Sequence, residues 1–228
     1  MDLLNRDGSI RQICLLRPLN ALLTSDHHFS NRYGYFSVES VEETMKCFSR
    51  LIRETRPDQI LVLGDLFHYG QENNHFVLQI MTFFRDLEQE IFLIGGNHDK
   101  VLIEDQIQKW SKDNLHIYPD SFIVYKTNQE KIWFTHDGNN PYWLDKQEVP
   151  GFLINLKKVY TLPKHHWLIT GHTHLPCLIN DSKVASLGCF NVEGHNQPLS
   201  YGIAEEIGDQ ISFSLQEAEK VCLPEIPA

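Results

Sequence analysis

Acidic, amide and imidazole side chains recur along this chain in short clusters: Asp26-His27-His28, Gly64-Asp65-Leu66-Phe67-His68, Gly96-Asn97-His98-Asp99, His136-Asp137 and Gly171-His172-Thr173-His174. Of its twelve histidines, seven fall in these five places: His27, His28, His68, His98, His136, His172 and His174. Carboxylate mixed with imidazole suits first-row divalent ions such as manganese, iron or zinc better than calcium, which prefers an all-oxygen shell. In extended backbone, residues i and i+2 point to one side, which pairs Asp26 with His28 and His172 with His174. Asp26, His28, Asp65, Asn97, His136, His172 and His174 are too many ligands for one tetrahedral ion and enough for two. A two-metal centre, with ions ~3.5–4 Å apart, needs a bridging carboxylate, and Asp65 stands in the middle. Gly64, Gly96 and Gly171 would let the backbone turn beside the ions without Cβ crowding. One D-x-H, or one His after a strand, has an ordinary structural explanation. Four blocks in order, each about one βα unit apart, do not.

The elements that must position these residues are legible as hydrophobic runs. Strands are expected at 20–25, 59–63 and 91–94, each stopping at one of the clusters. Between them, Val41, Met45, Phe48, Leu51, Ile52 and Thr55 mark a helix over 38–56 closed by Pro57, and a second covers about 75–90. A short helix is expected at about 102–112. Strands follow at 116–125, 131–134, 167–170, 183–187 and twice near 201–215, broken by one helix at about 152–160. The first half therefore reads as βαβαβ with parallel strands and the second as antiparallel or mixed. Two sheets packed face to face with helices outside would satisfy both. The stretch 138–151, with Asn139, Asn140, Pro141 and Pro150, reads as the longest loop. Charged groups directly after buried runs would be costly unless paired or metal-bound, and in open α/β sheets ligands gather at the carboxyl ends of strands.

With 228 residues, 42% hydrophobic and 22% charged, the chain is expected to form a single domain over 1–228, with a tail from about 216. Its formal charge of −10 excludes a general nucleic-acid coat but not a local phosphate site. No apolar run approaches a membrane span of roughly 18 residues. The start, Met1 to Asp7, is too acidic and broken for a secretory signal, so a cytoplasmic protein is expected. Cys14, Cys47, Cys177, Cys189 and Cys222 are odd in number without a C-x-x-C pair, which fits buried thiols in a reducing compartment. Lys46, Arg50 and Arg53 read as a solvated helix face.

The series D-x-H, G-D-x-x-H, G-N-H-D, H, G-H-x-H resembles the calcineurin-like metallophosphoesterases, over about residues 21–174. The resemblance implies an α/β fold, a four-layer α/β/β/α sandwich of two mixed sheets. It implies one divalent ion on Asp26, His28, Asp65 and His174 and a second on Asp65, Asn97, His136 and His172. Manganese is the expected ion, with iron, zinc, nickel or magnesium also fitting. His98 is then the non-ligand acid held by Asp99, and Asn97, His98 and His68 face substrate. The implied reaction is in-line attack on phosphorus by a metal-bridging hydroxide. The form Gly-Asp-Leu-Phe-His is similar to the SbcD-type nuclease branch and to small ligase-associated bacterial phosphoesterases, where the His contacts phosphate; a second role for His68 is a hydrogen bond to His98 or Asp65. The expected substrate is a phosphoester, small molecule or nucleic-acid end, with diesters favoured. A phosphomonoesterase or nucleotide pyrophosphatase of the same superfamily is the alternative, and a non-catalytic scaffold the third reading. The sequence sets no oligomeric state.

Two departures stand out. Ser186-Leu187-Gly188-Cys189-Phe190-Asn191 replaces the N-P-G-S turn usual after G-H-x-H in the small phosphodiesterases. His27 is an extra imidazole, expected to face outward or to lie behind the ligands. Tyr33, Tyr69, Trp143 and Phe190 are expected around the leaving group, and His75, His116, His165, His166 and His195 to be structural or exposed.

Overall fold

The computed structural model describes residues 12–15, 18–30, 38–68, 73–99, 114–118, 122–136, 144–191 and 199–218. The expected helix at 102–112, the tail beyond 218 and residues 138–143 of the expected loop lie outside these residues.

Buried strands set the layers. β2 (Asn20–Thr24), β3 (Gln59–Leu63) and β4 (Glu90–Ile94) are apolar on both faces, as strands covered on both sides must be. Their alternate residues go to different cores. Leu22, Ile60, Val62, Ile91 and Leu93 meet Phe48, Leu51, Ile80 and Phe84 of helices α1 (Val38–Thr55) and α2 (Asn74–Arg85). Leu23, Leu61, Leu63, Phe92 and Ile94 instead meet the second sheet, at Ile123 and Tyr125 of β6 (Phe122–Lys126), Ile132 and Phe134 of β7 (Lys131–Thr135), and Ile169 of β8 (Trp167–Thr170). On the far side of that sheet, Val124, Trp133 and Leu168 pack against Leu153 and Leu156 of α3 (Val149–Val159). Helix, sheet, sheet, helix: the four layers follow from which side chains touch. Truncating a fully buried member such as Leu61 to Ala would cost about 2–5 kcal/mol.

The first sheet has the order β12-β11-β2-β3-β4-β5 and the second β1-β6-β7-β8-β10-β9. The remaining strands are β1 (Gln12–Cys14), β5 (Leu115–Tyr118), β9 (Cys177–Ile179), β10 (Val184–Ser186), β11 (Ser200–Ile207) and β12 (Gln210–Glu217). β2 to β5 run parallel, as βαβ connections require. Two strand readings are corrected, and the two strands expected near 201–215 are present. The expected strand over 116–125 is two strands in different sheets, β5 and β6. β1 and β9, three residues each, were too short to read from periodicity. β11 and β12 form a hairpin that extends the first sheet beside β2.

Helix ends carry the expected chemistry. Arg56, at φ +46, ends α1 before Pro57. Asn73 caps α2, its side chain accepting from the Phe76 amide at 2.9 Å. Pro150, expected in a loop, lies in the first turn of α3, where its missing N–H costs nothing. Cys47 is disulfide-bonded, so the reading of all five cysteines as buried thiols fails there; Cys177 and Cys189 are free. No helix among the described residues is long and apolar enough to cross a membrane.

Candidate metal centre

The carboxyl ends of β2, β3, β4, β7 and β8 converge on one place, so each polar cluster enters it from a separate strand. Backbone bonds zip the first two loops together: Asp26 N–H donates to Gly64 O (3.0 Å), His28 N–H to Asp65 O (2.9 Å) and Phe29 N–H to Leu66 O (2.8 Å). Asp26, His28, Asp65, His172 and His174 all have left-handed backbone, with φ between 49° and 67°. Non-glycine residues held there mark strain maintained by surrounding structure, a pattern concentrated at functional sites. Two glycines are obligatory for close approach. A Cβ on Gly96 would stand 2.1 Å from Asp65 Oδ1, and one on Gly64, itself at φ +82, 2.3 Å from His136 Nδ1.

Two donor groups result, sharing one carboxylate. Asp26, His28, Asp65 and His174 form the first, and Asp65, His136 and His172 the second. In the first, His28 Nε2 lies 3.0 Å from His174 Nε2 and 3.8 Å from Asp26 Oδ1. Asp65 Oδ2 stands between the groups, 3.9 Å from His28 Nε2 and 3.2 Å from His136 Nε2. Asn97 Oδ1 adds an amide oxygen 3.2 Å from His136 Nε2. The sequence pairing of Asp26 with His28 holds, whereas His172 and His174 divide between the two groups. All four residues have left-handed backbone, so extended geometry underlies neither outcome, and the tertiary arrangement of the turns decides both.

The remaining atoms of each ligand are tied down. Asp26 Oδ2 accepts from Ser25 Oγ and from the His172 amide (2.9 Å). Asp65 Oδ1 accepts from the His98 amide (2.8 Å). His136 Nδ1–H donates to Leu63 O (2.7 Å), which fixes the tautomer that leaves Nε2 its lone pair. Asp26 Oδ1, fully buried, has no hydrogen-bond partner. A buried carboxylate oxygen of that kind, amid imidazole nitrogens and a second carboxylate, is the donor set a divalent cation requires, and the residues fit a dinuclear centre.

Electrostatics follow from burial and crowding. Burial works to raise both carboxyls, but the imidazoles outweigh it: His174 holds Asp26 below its usual range, and His136 does the same for Asp65. Burial works to lower His136, but Asp65 overrides it and pushes the imidazole up to about 10. Burial wins at His28, which falls to about 3 despite Asp65 and Asp26. Asp99 goes the other way from its neighbours, raised to about 6 by burial and then by the charge on Asp65.

A model of the calcineurin-like phosphoesterases matches residues 19–212. The chain belongs to the calcineurin-like phosphoesterase family. The expected class, a metal-dependent hydrolase of phosphoric esters, therefore holds, and so does the two-sheet α/β fold. The chain is 25% identical over 197 residues to a probable cyclic nucleotide phosphodiesterase of Pseudoalteromonas sp. (strain SM9913), covering 77% of this chain and 70% of that protein. Its fold is similar to that of Yfce, a phosphoesterase from E. coli, with TM-score 0.52, 16% identity, 88% of this chain and 100% of that one. It is also similar to a dimetal phosphatase from Danio rerio, with TM-score 0.51, 10% identity, 89% of this chain and 97% of that one.

Within this phosphoesterase several sequence expectations shift. Asp99 does not hold the His98 imidazole. Its two oxygens accept from the amides of Phe67 and Gly96, both at 2.8 Å, and so join the loops after β3 and β4. The His98 ring instead donates Nδ1–H to the carbonyl of His68. The His68 ring has its Nδ1 3.3 Å from His28 Nδ1, and it stacks on His98 with centroids 5.5 Å apart. His27 is wholly buried, bonded to Thr24 Oγ1 at 2.9 Å and packed among Phe29, Phe48, Phe84 and Phe190, so it does not face outward. Burial pushes its pKa down to about 3. Phe190 is equally buried, in the helix-side core rather than near a leaving group. His75 and His165 are exposed. Tyr33, Tyr69, Asp137, Asn139, Asn140, Trp143 and His195 lie outside the described residues.

The residues that sequence reasoning missed stand behind the first ligands. Three successive carbonyls of the turn, on Ser25, Asp26 and His27, accept from the Phe190 amide (2.9 Å), Cys189 Sγ (3.0 Å) and Asn191 Nδ2 (2.5 Å). Ser25 Oγ also bonds Leu63 O at 2.8 Å, linking β2 to β3. The signal was available: these three donors lie in the segment that departs from the usual N-P-G-S turn.

Proposed function

We propose that this protein hydrolyses phosphodiesters at a centre of two divalent ions, manganese being the ion best suited. The observation that carries the reading is Asp65 Oδ2, set between two imidazole-bearing groups that each lack a permanent cation. Asp26, His28, Asp65 and His174 would hold one ion; Asp65, Asn97, His136 and His172 the other. When bound, the two ions supply positive charge for the phosphoryl group and an acidified water as nucleophile.

The rest is done by the chain. The His98 ring is anchored through Nδ1–H on the His68 carbonyl, so the proton it can hand to a leaving oxygen sits on Nε2. Asp65 Oδ1 holds the His98 backbone, which ties the position of the acid to the carboxylate shared by the two groups. His68, partly exposed and stacked on His98, offers a second imidazole to a phosphate oxygen. A diester is favoured because the similar Pseudoalteromonas protein is a probable cyclic nucleotide phosphodiesterase.

Turnover of bis-p-nitrophenyl phosphate with added manganese tests the reading, beside p-nitrophenyl phosphate and a cyclic nucleotide. With the cyclic nucleotide, whose alkoxide leaving group needs a proton as p-nitrophenolate does not, His98→Gln should lower kcat by roughly 10²–10⁴-fold while two ions per chain remain bound. Two bound ions with no hydrolysis of any mono- or diester would favour the scaffold.

A further inference from the structure

His28, His68 and His98 come together on the accessible side of the first donor group. Each ring offers a nitrogen, and the three nitrogens lie within 4.8 Å of one another. His28 Nδ1 and His68 Nδ1 are 3.3 Å apart, close to the separation of neighbouring nitrogens around a tetrahedral ion with bonds of ~2.0–2.1 Å. The His28 ring crosses His98 edge-on with centroids 5.1 Å apart, while His68 and His98 stack at 15°. His98 has committed Nδ1 to a carbonyl and offers Nε2. His28 faces the carboxylates with Nε2 and His68 with Nδ1. His28 is buried, whereas His68 and His98 are partly exposed, so the pocket opens to solvent.

We propose that these three imidazoles form a third cation site, selective for a borderline ion such as Zn²⁺, whose occupation switches the enzyme off. The proposal rests on the dinuclear reading above and adds a regulation of the same site. Its chemistry differs from that of the two groups beside it: three imidazoles and no carboxylate. Such a set retains zinc, nickel or copper and does not retain manganese or magnesium, which need oxygen ligands. His28 would serve two ions, Nε2 on the first and Nδ1 on the third, as an imidazolate. Its Nδ1 proton leaves to solvent as the third ion enters. That ion would occupy the His98 nitrogen that gives up a proton and the imidazole of His68 beside it, so it competes with the phosphoryl group for the same space.

The test is a count of bound ions in the full chain, dialysed separately against Zn²⁺ and Mn²⁺, for the wild type, His68→Ala and His68→Gln. The wild type should retain three zinc ions and two manganese ions per chain. Both variants should retain two of either. Two zinc ions in the wild type, or three in both variants, would overturn the site. Loss of the first two ions in both variants would also overturn it, because His68 would then belong to the dinuclear centre. Fewer than two manganese ions in the wild type would count against the dinuclear reading; the third site is judged on the zinc difference between wild type and variants.

Discussion

At the amino-terminal ends of β8 and β10, Lys157 donates to the carbonyls of Lys164, His166 and Ser182, and Lys183 pairs with Glu130 at 2.6 Å. At the carboxyl-terminal ends of β2, β3, β7 and β8, the ion partners of Asp26 and Asp65 among the described residues are imidazoles alone. Both regions bury charge, but only the first answers it with permanent cations. An ammonium group with three carbonyls is a finished structural joint. Two carboxylates whose ion partners are imidazoles alone, beside one hydroxyl and two amides, are complete once something else brings positive charge. The same fold thus separates stability from chemistry by end of sheet.

Exchanging a residue at each end is the sharpest way to break that contrast. Asp65→Asn should lower kcat/KM on the order of 10³-fold or more and leave fewer than two ions per chain, read by kinetics and metal analysis. Lys157→Met should cost about 3 kcal/mol in calorimetry, through three carbonyls left without their donor, while two ions stay bound. Loss of ions in the lysine variant would collapse the distinction.

Asn191→Leu sharpens it from behind the centre. Removing the donor to the His27 carbonyl frees one of three braces on a turn held at positive φ. Metal affinity should fall roughly 10–100-fold in competition with a chelator, with little change in thermal stability of the ion-free protein.

The smallest effect at neutral pH is expected at His27, which belongs to the core although it sits between two candidate ligands. Its folded pKa of about 3 lies below the ordinary imidazole value of 6.5, so the unfolded chain takes up the proton first. Stability is full above that value and declines as pH falls toward 3. His27→Phe in the ion-free protein should match the wild type near neutrality. It should gain on it by ~1.4 kcal/mol per pH unit through the window from about 6 to 3. A constant difference across pH would show that the imidazole is not buried neutral.

The ligand types were legible because metal chemistry needs particular donors and because buried β-runs end visibly: Leu63 before Gly64-Asp65 and Ile94 before Gly95-Gly96-Asn97. Layer structure was legible for the same reason, since strands apolar on both faces require cover on both. What misled was local geometry. His172 and His174 were paired on the assumption of extended backbone. The family resemblance placed Asp99 on the His98 imidazole, yet its carboxylate reaches two amides instead.

By itself the chain determined which atoms could bind an ion, since donor type and order are properties of composition and spacing. Only the tertiary structure decided how those atoms divide: Asp65 shared, His172 and His174 separated, His27 turned into the aromatic core, and Cys189 to Asn191 bracing a turn more than 160 positions earlier. Side-chain direction at a strained turn is set by long-range hydrogen bonds and packing, and neither is written in neighbouring residues.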